Sequence, residues 1–369
     1  MIQVQVTKNE SPLLLAIVIS LALAPCSAIA QPFPAKPVRI VVPFPAGGPT
    51  DIVTRAMAQK MNESLGQTVV VENRAGAGGV LGTEFVARSP ADGYTLLMGT
   101  IGGLAVSMSL LPTRGFDTLR DFAPITQAVT VTNFLVTHPS VPARTVKELL
   151  ALARARPGKL NYASSGNGTV THLAGELLKH MGRVDIVHVP YKGGAPALTA
   201  LVSGETDMSF ENALIIVPQI KAGKVRALAV TGAKRSPLLP ELPTIGETLP
   251  GYGASGWYGL VAPVATPRDA LAKLNAAAVQ ALRAPDVAAR LSAQGAEPVG
   301  NTPAEFAAFV RSEIDKWADL VRVAHMKPEW CAIRRTPRGE ARRYRGPPPR
   351  RSRARPRAAP ARSDDCGRR

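Results

Sequence analysis

Hydrophobic positions along the chain alternate between short solid runs and stripes of helical period. The run VRIVVP (38–43) predicts a strand buried on both faces. Residues 50–65 then place Val53, Ala56, Met57, Met61 and Leu65 on one helical face, with Gly66 just past the helix end. TVVVE (68–72) predicts a second strand. GAGGVLG (76–82) is a turn opening a short helix to Arg88, and YTLLMG (94–99) a third strand after the Asp92-Gly93 turn. Strand, helix, strand, helix, strand is the grammar of a parallel sheet with helices on both faces.

The grammar restarts at NFLVTH (133–138). TVKE (145–148) has the form of a capping box, Thr145 as N-cap and Glu148 three residues on, before the helix KELLALARA. LNYAS (160–164), DIVHVPY (185–191), TDMSFE (206–211) and VRALAVT (225–231) read as strands. The helices between them are TVTHLAGELLKHM (169–181), stopped at Gly182, then PALTALVSG and LIIVPQIKAG. Residues 254–328 hold one strand, WYGLVAP (257–263), followed by helices. A second capping box, TPAE (302–305), opens the last helix, which carries the stripe Phe306, Val310, Ile314, Trp317 and Val321. Two α/β domains follow, one from 31–131 with 254–328, the other from 132–253 inserted into it. A cleft between two such domains is a ready ligand site.

Both ends break the pattern. Residues 12–24 (PLLLAIVISLALA) form a 13-residue run, apolar except for Ser20. That is shorter than the roughly 20 residues of a membrane-spanning helix. Ala28 and Ala30 supply the A-x-A pattern of signal-peptidase cleavage, so residues 1–30 read as a signal peptide cut after Ala30, with the mature chain soluble and exported. A retained anchor and a lipoprotein signal ending at Cys26 are the alternatives; Pro25 disfavours the second. Residues 329–369 hold 14 Arg, 6 Pro and no Lys, a net charge of +10 out of +17 for the chain. That leaves +7 on the 298 residues of the body, so the basic balance is a property of the tail. A basic arm for nucleic acid is one reading of the tail. A frameshift in GC-rich DNA is the other, favoured because only Trp330 and Tyr344 are there to stack on bases. Either way the tail is expected to be disordered, and no nucleic-acid partner is expected. Cys26, Cys331 and Cys366 all lie outside 31–328, so the body is built without disulfides.

Candidate chemistry sits where strands run into helices. PFPAGGPTD (43–51) leaves the first strand and enters the first helix. Gly47 and Gly48 let a ligand approach the backbone, and the free N–H groups of the helix start suit an anion. The plain alternative is a glycine-rich turn with Asp51 favouring the helix N-terminus. SSGNGT (164–169) repeats the design, with hydroxyls from Ser164, Ser165 and Thr169, and His172 reads as a polar group beneath it. Lys192, in VPYKGGAPAL (189–198), either meets an anion or is a solvated loop lysine. Asn212, after Phe210 and Glu211, and Thr100 end strands on the same side. Trp257 and Tyr258 default to core packing. RAGAGGVLG (74–82) has Leu81 where a dinucleotide fingerprint needs Gly or Ala. The spacing of His172 and Glu176 is not a zinc motif, and a GxSxG elbow is absent from the sequence. No cofactor, metal or catalytic residue is expected; a hydrolase pairing Ser164 or Ser165 with His172 is the less favoured reading.

Seven stretches in order carry a resemblance: RIVVPFPAGGPTDIVTR, VVVENRAGAGGVLGTEFVA, PADGYTLLMGT, NYASSGNGTVTHLAGEL, HVPYKGGAPALTALVSGETDM, VRALAVTGAKRSPLLPELPTIGE and WYGLVAPVATP. Across nearly all of 31–328 the chain resembles the periplasmic solute receptors of tripartite tricarboxylate transporters, the Bug-type receptors. The resemblance implies an α/β, two-domain Venus-flytrap fold, each domain a mixed, mostly parallel sheet flanked by helices, without covalent catalysis. It implies a small carboxylate ligand, membrane transporter subunits as partners, and a monomer. A flytrap sensor read by a signalling partner is the alternative. By motif position it points to Ala46, Gly47, Gly48, Thr50 and Asp51 in the first domain. In the second it points to Ser164, Ser165, Gly168, Thr169 and His172, with Asn212 behind them. Two departures stand out: FEN replaces the commoner FDN, so Glu211 is off pattern, and the chain runs past MKPE, where the family normally ends.

Overall fold

The computed structural model describes residues 32–111 and 115–326; the signal, cleavage and tail readings lie outside the described residues. The elements of the first lobe are β1 (Val38–Val42), α1 (Pro49–Leu65), β2 (Val69–Asn73), α2 (Val80–Ala87) and β3 (Thr95–Thr100). A strand that the hydrophobic pattern did not mark, β4 (Phe122–Val131), carries the chain to the second lobe. There lie β5 (Asn133–Thr137), α3 (Val146–Ala155), β6 (Asn161–Ser164), α4 (Val170–Gly182), β7 (Val187–Pro190), α5 (Gly194–Val202), β8 (Met208–Asn212), α6 (Ala213–Lys221) and β9 (Arg226–Val230). The chain returns through β10 (Gly256–Pro263), α7 (Arg268–Arg283), α8 (Pro285–Ser292), the short β11 (Ala296–Pro298) and α9 (Pro303–Val323).

Two sheets result. The first has the strand order β11-β4-β10-β3-β1-β2, the second β7-β6-β8-β5-β9. Val38, Ile40, Val41 and Val42 are fully buried because β1 lies inside a sheet covered on both faces. Parallel pairing holds where successive βαβ units supply the strands, β2-β1-β3 and β7-β6-β8. The expected parallel majority stops there. β10 runs antiparallel to both β3 and β4, and β5 antiparallel to both β8 and β9, because these strands arrive by crossing between lobes rather than over a helix. β4 escaped notice because buried Thr126 and Gln127 interrupt its apolar run; the Asn301 side chain accepts from the Gln127 N–H at 2.8 Å.

Local signals explain most element ends. Proline occupies the first turn of α1, and Gly66, at φ 62°, closes it in the left-handed conformation with its N–H on the Asn62 carbonyl. α9 has both arms of its capping box, Thr302 accepting from the Glu305 N–H and Glu305 from the Thr302 N–H. At α3 only one arm forms as expected: Thr145 accepts from the Glu148 N–H, while the Glu148 carboxylate turns to the Arg144 N–H at 2.7 Å. α4 includes Gly182 as its last residue, and Arg183 rather than the glycine takes the left-handed cap at φ 49°. Glycine is needed at 182 for packing, since a Cβ there would stand 2.7 Å from Leu150 Cδ2. Apolar stripes of α9 and β10 meet in the core, where Trp257 and Phe306 pack edge to face at 5.8 Å.

Candidate functional site

A buried cavity lies where three helices begin. α1 follows β1 in the first lobe; α4 follows β6 and α5 follows β7 in the second. Thr50, Thr169, Val170, Gly194 and Ala195 from these starts line it. The first N–H groups of a helix have no partner within it, and each start carries roughly half a positive charge. Three such starts facing one space suit an anion without a basic side chain. Among the described residues its lining includes no Lys, Arg or His, and Glu211 is its one charged residue. Two buried lining atoms, Thr100 Oγ1 and Asn133 Oδ1, have no hydrogen-bond partner among the described residues. Asn212 caps α6 through its Oδ1 and donates its Nδ2 at 3.0 Å to the Tyr258 hydroxyl, tying the second lobe to the strand returning to the first.

Of the residues singled out in the sequence, Gly48, Thr50, Thr100, Ser165, Thr169 and Asn212 line this cavity. Lys192 lines the outer cleft instead, exposed beside Ser165 and Asn167. Ala46 and Gly47 are exposed and outside the cavity lining. Asp51, Ser164, Gly168 and His172 lie behind it and shape the two loops. The Asp51 carboxylate accepts from the Gly47 N–H, Arg55 Nε and Asn73 Nδ2, each at 2.9 Å. Burial works to raise its pKa, but Arg55, the Gly47 N–H and Asn73 together hold it below the usual value. Gly47 sits at φ 76°, which is what lets its N–H turn back to Asp51.

The second loop is braced without charge. His172 Nδ1 accepts from the Gly168 N–H at 3.0 Å, and Gly168 is at φ 73°. The His172 ring stacks on His188 at 4.0 Å between centroids, and His188 Nε2 meets Ser164 Oγ at 2.6 Å. Thr169 and Thr171 close the loop through the Gly166 carbonyl and the Ser165 N–H. Burial, then Lys179, pushes His172 down to about 4. Burial, then His172, pushes His188 down to about 3. Both are neutral, as an acceptor for the Gly168 N–H has to be. This removes the hydrolase pairing: Ser164 partners His188 rather than His172, lies fully buried behind the cavity, and Ser165 Oγ is held by Thr171.

Glu211, Trp257, Tyr258 and Asn133 are cavity residues that the sequence reading did not place there. The signal for Glu211 and Tyr258 was a polar residue ending a buried strand; for Trp257 only the register of β10 gives its position. Across the mouth, the glycine-rich loop before α2 meets the second lobe. A Cβ on Gly78 would collide with the Asn167 carbonyl oxygen, so glycine there permits direct backbone contact between lobes.

Two lobes enclosing an anion-suited cavity define the class: a flytrap-like periplasmic binding protein. The family described as "Tripartite tricarboxylate transporter family receptor" matches residues 53–326, and the chain belongs to it. BugT of Bordetella pertussis is 39% identical over 318 residues, which span 85% of this chain and 98% of BugT. A solved R. palustris protein with adipate is 38% identical with a TM-score of 0.78, covering 80% of this chain and 99% of that one. MatC from Rhodopseudomonas palustris with bound malate is 36% identical with a TM-score of 0.75, covering 78% and 100%. The chain is accordingly a solute receptor and not an enzyme. Among the described residues no helix is long and apolar enough to cross a membrane.

Proposed function

We propose that the protein is an extracytoplasmic receptor that takes a small carboxylate-bearing metabolite into this cavity and delivers it to the membrane subunits of a tripartite tricarboxylate transporter. The observation that carries the reading is the meeting of three helix starts in a cavity lined without a basic side chain. In this reading the ligand carboxylate takes main-chain N–H groups at the starts of α1, α4 and α5. Hydroxyls of Thr50 and Thr100 and the amide of Asn212 add directed bonds, while Ser165 and Thr169, whose hydroxyls are engaged within the loop, line the space. Gly48 keeps the approach to α1 clear. Asp51, Ser164, Gly168 and His172 act at one remove, by holding the loops, and Ala46, Gly47 and Lys192 stay outside the contact. Adipate and malate, the ligands of the two solved relatives, are the first candidates for this chain.

A thermal-shift panel tests the reading with adipate, malate, citrate, aspartate, glutamate and benzoate, against sugars and cationic amino acids as controls. A carboxylate at about 100 times its Kd stabilises the fold by ~2.7 kcal/mol, a shift of several degrees. Shifts confined to the controls would overturn it. Delivery is tested by reconstituted uptake: vesicles holding the large and small membrane subunits should accumulate the ligand only when the receptor is present.

A further inference from the structure

We propose that capture is proton-coupled: a carboxylate enters the cavity together with one proton, which Glu211 takes up from solvent. The inference rests on the carboxylate reading above and adds a requirement to it. Glu211 is the penultimate residue of β8, lines the cavity and is 1% exposed. Ser209 Oγ donates to its Oε1 at 3.0 Å, and the Asn212 N–H also faces it. Neither carries charge, and no cation pairs with it among the described residues. A carboxylate ligand therefore brings a second negative charge into a cavity whose one acid has no cationic side chain as partner among the described residues. Two carboxylates sharing such a site raise each other's affinity for a proton.

The groups around Glu211 leave it as the one that responds. From β10, the Tyr258 phenol is pushed far up by burial and stays neutral. From α1, Asp51 is held ionised by Arg55 and its other partners. From α4, His172 is pushed down by burial and stays neutral above pH 6.5, and Glu176 is paired with Lys179 and Tyr162. α5 and β5 contribute no ionisable side chain. Burial pushes Glu211 itself up to about 7, so in the free protein it is only partly protonated at neutral pH. Bound ligand completes the protonation.

Isothermal titration decides it, with adipate and malate at fixed pH in phosphate, HEPES and Tris, whose ionisation enthalpies differ. Proton uptake should rise from a fraction at pH 6.5 toward about one at pH 8, with affinity falling by up to about tenfold per pH unit above 7. In Glu211→Gln the uptake should be lost and the remaining affinity should no longer depend on pH. Binding without proton uptake, or uptake that survives Glu211→Gln, overturns the proposal while leaving the carboxylate reading intact. If no carboxylate binds at all, the reading fails and the proposal falls with it. Should the variant not fold, the proton count on the native protein decides alone.

Discussion

The two loops at the cavity share a plan and differ in how they are held. Each follows a parallel strand, turns through small residues and opens a helix. The first is braced by a charge, Asp51, tied to a half-exposed Arg55 and to Asn73. The second is braced by neutral groups in contact, Ser164, His188 and His172. The loop near solvent can keep an ion hydrated through its partner; the loop over the buried interior of the second lobe cannot, and uses neutral imidazoles. Helix starts thus face the cavity from both sides while the charge that braces the first loop is kept out of it. The same difference gives the two loops opposite tolerance of acid.

The largest expected effect is that acid sensitivity. Both histidines have depressed folded-state pKa values, about 4 and about 3, so below the ordinary value of 6.5 the unfolded chain binds more protons than the folded one. Their contribution is complete above about pH 6.5 and is lost as pH falls from there toward the folded values of about 4 and about 3; between pH 7 and 5 the loss is on the order of 4 kcal/mol. Asp51 is lowered from 3.8, so its contribution stays until pH falls below that value. Denaturation followed by circular dichroism from pH 7 to 4 should show the fall, and His172→Gln, which keeps an acceptor for Gly168, should blunt it. A flat profile to pH 4.5 would erase the distinction between the loops.

Next comes Gly48→Val. Gly48 has φ −78°, so the backbone accepts a side chain, and the nearest atom to a new Cβ is the Pro45 carbonyl oxygen at 3.3 Å. The side chain would occupy the approach to α1, and titration calorimetry should show at least a hundredfold loss, about 2.7 kcal/mol, with little change in melting temperature. Gly47→Val should do the reverse. At φ 76° it strains the backbone by about 1–2 kcal/mol, while its open surroundings leave affinity nearly intact. Equal effects at both positions would mean that the cavity does not begin at Gly48.

Asp51→Ala removes the acceptor of three hydrogen bonds and should cost about 2 kcal/mol of stability by urea titration. Affinity should weaken with it, since the Gly47 turn loses its anchor. Lys192→Ala should matter least, under about 1 kcal/mol in affinity, because the side chain is exposed at the mouth. A collapse of binding in that variant would replace the helix-start account with a charge clamp.

Much of this was legible in the sequence, and for identifiable reasons. Strand runs and helical stripes place nine of the strands, because buried parallel strands and amphipathic helices leave strong periodic traces. β4 and β11 left none: one carries buried polar residues satisfied by a distant asparagine, the other is three residues long. The two loops were legible as helix-start sites. Which of their residues face the cavity was not, because Gly47 and Gly48 differ only in φ and Ser164 and Ser165 only in strand register. The histidine pair joins residues 16 apart on α4 and β7, a contact that only the packed lobe defines. Glu211 stood out as a departure from the family pattern, but that no cation pairs with it among the described residues is a three-dimensional fact.

If main-chain groups, not basic side chains, hold the ligand's charge, a crystal structure of the protein with bound malate should show it. Carboxylate oxygens should lie within about 3 Å of backbone N–H groups at the starts of α1, α4 or α5, with no Lys or Arg nitrogen at that distance. A bidentate contact to Lys192, Arg55 or any other basic side chain would contradict it.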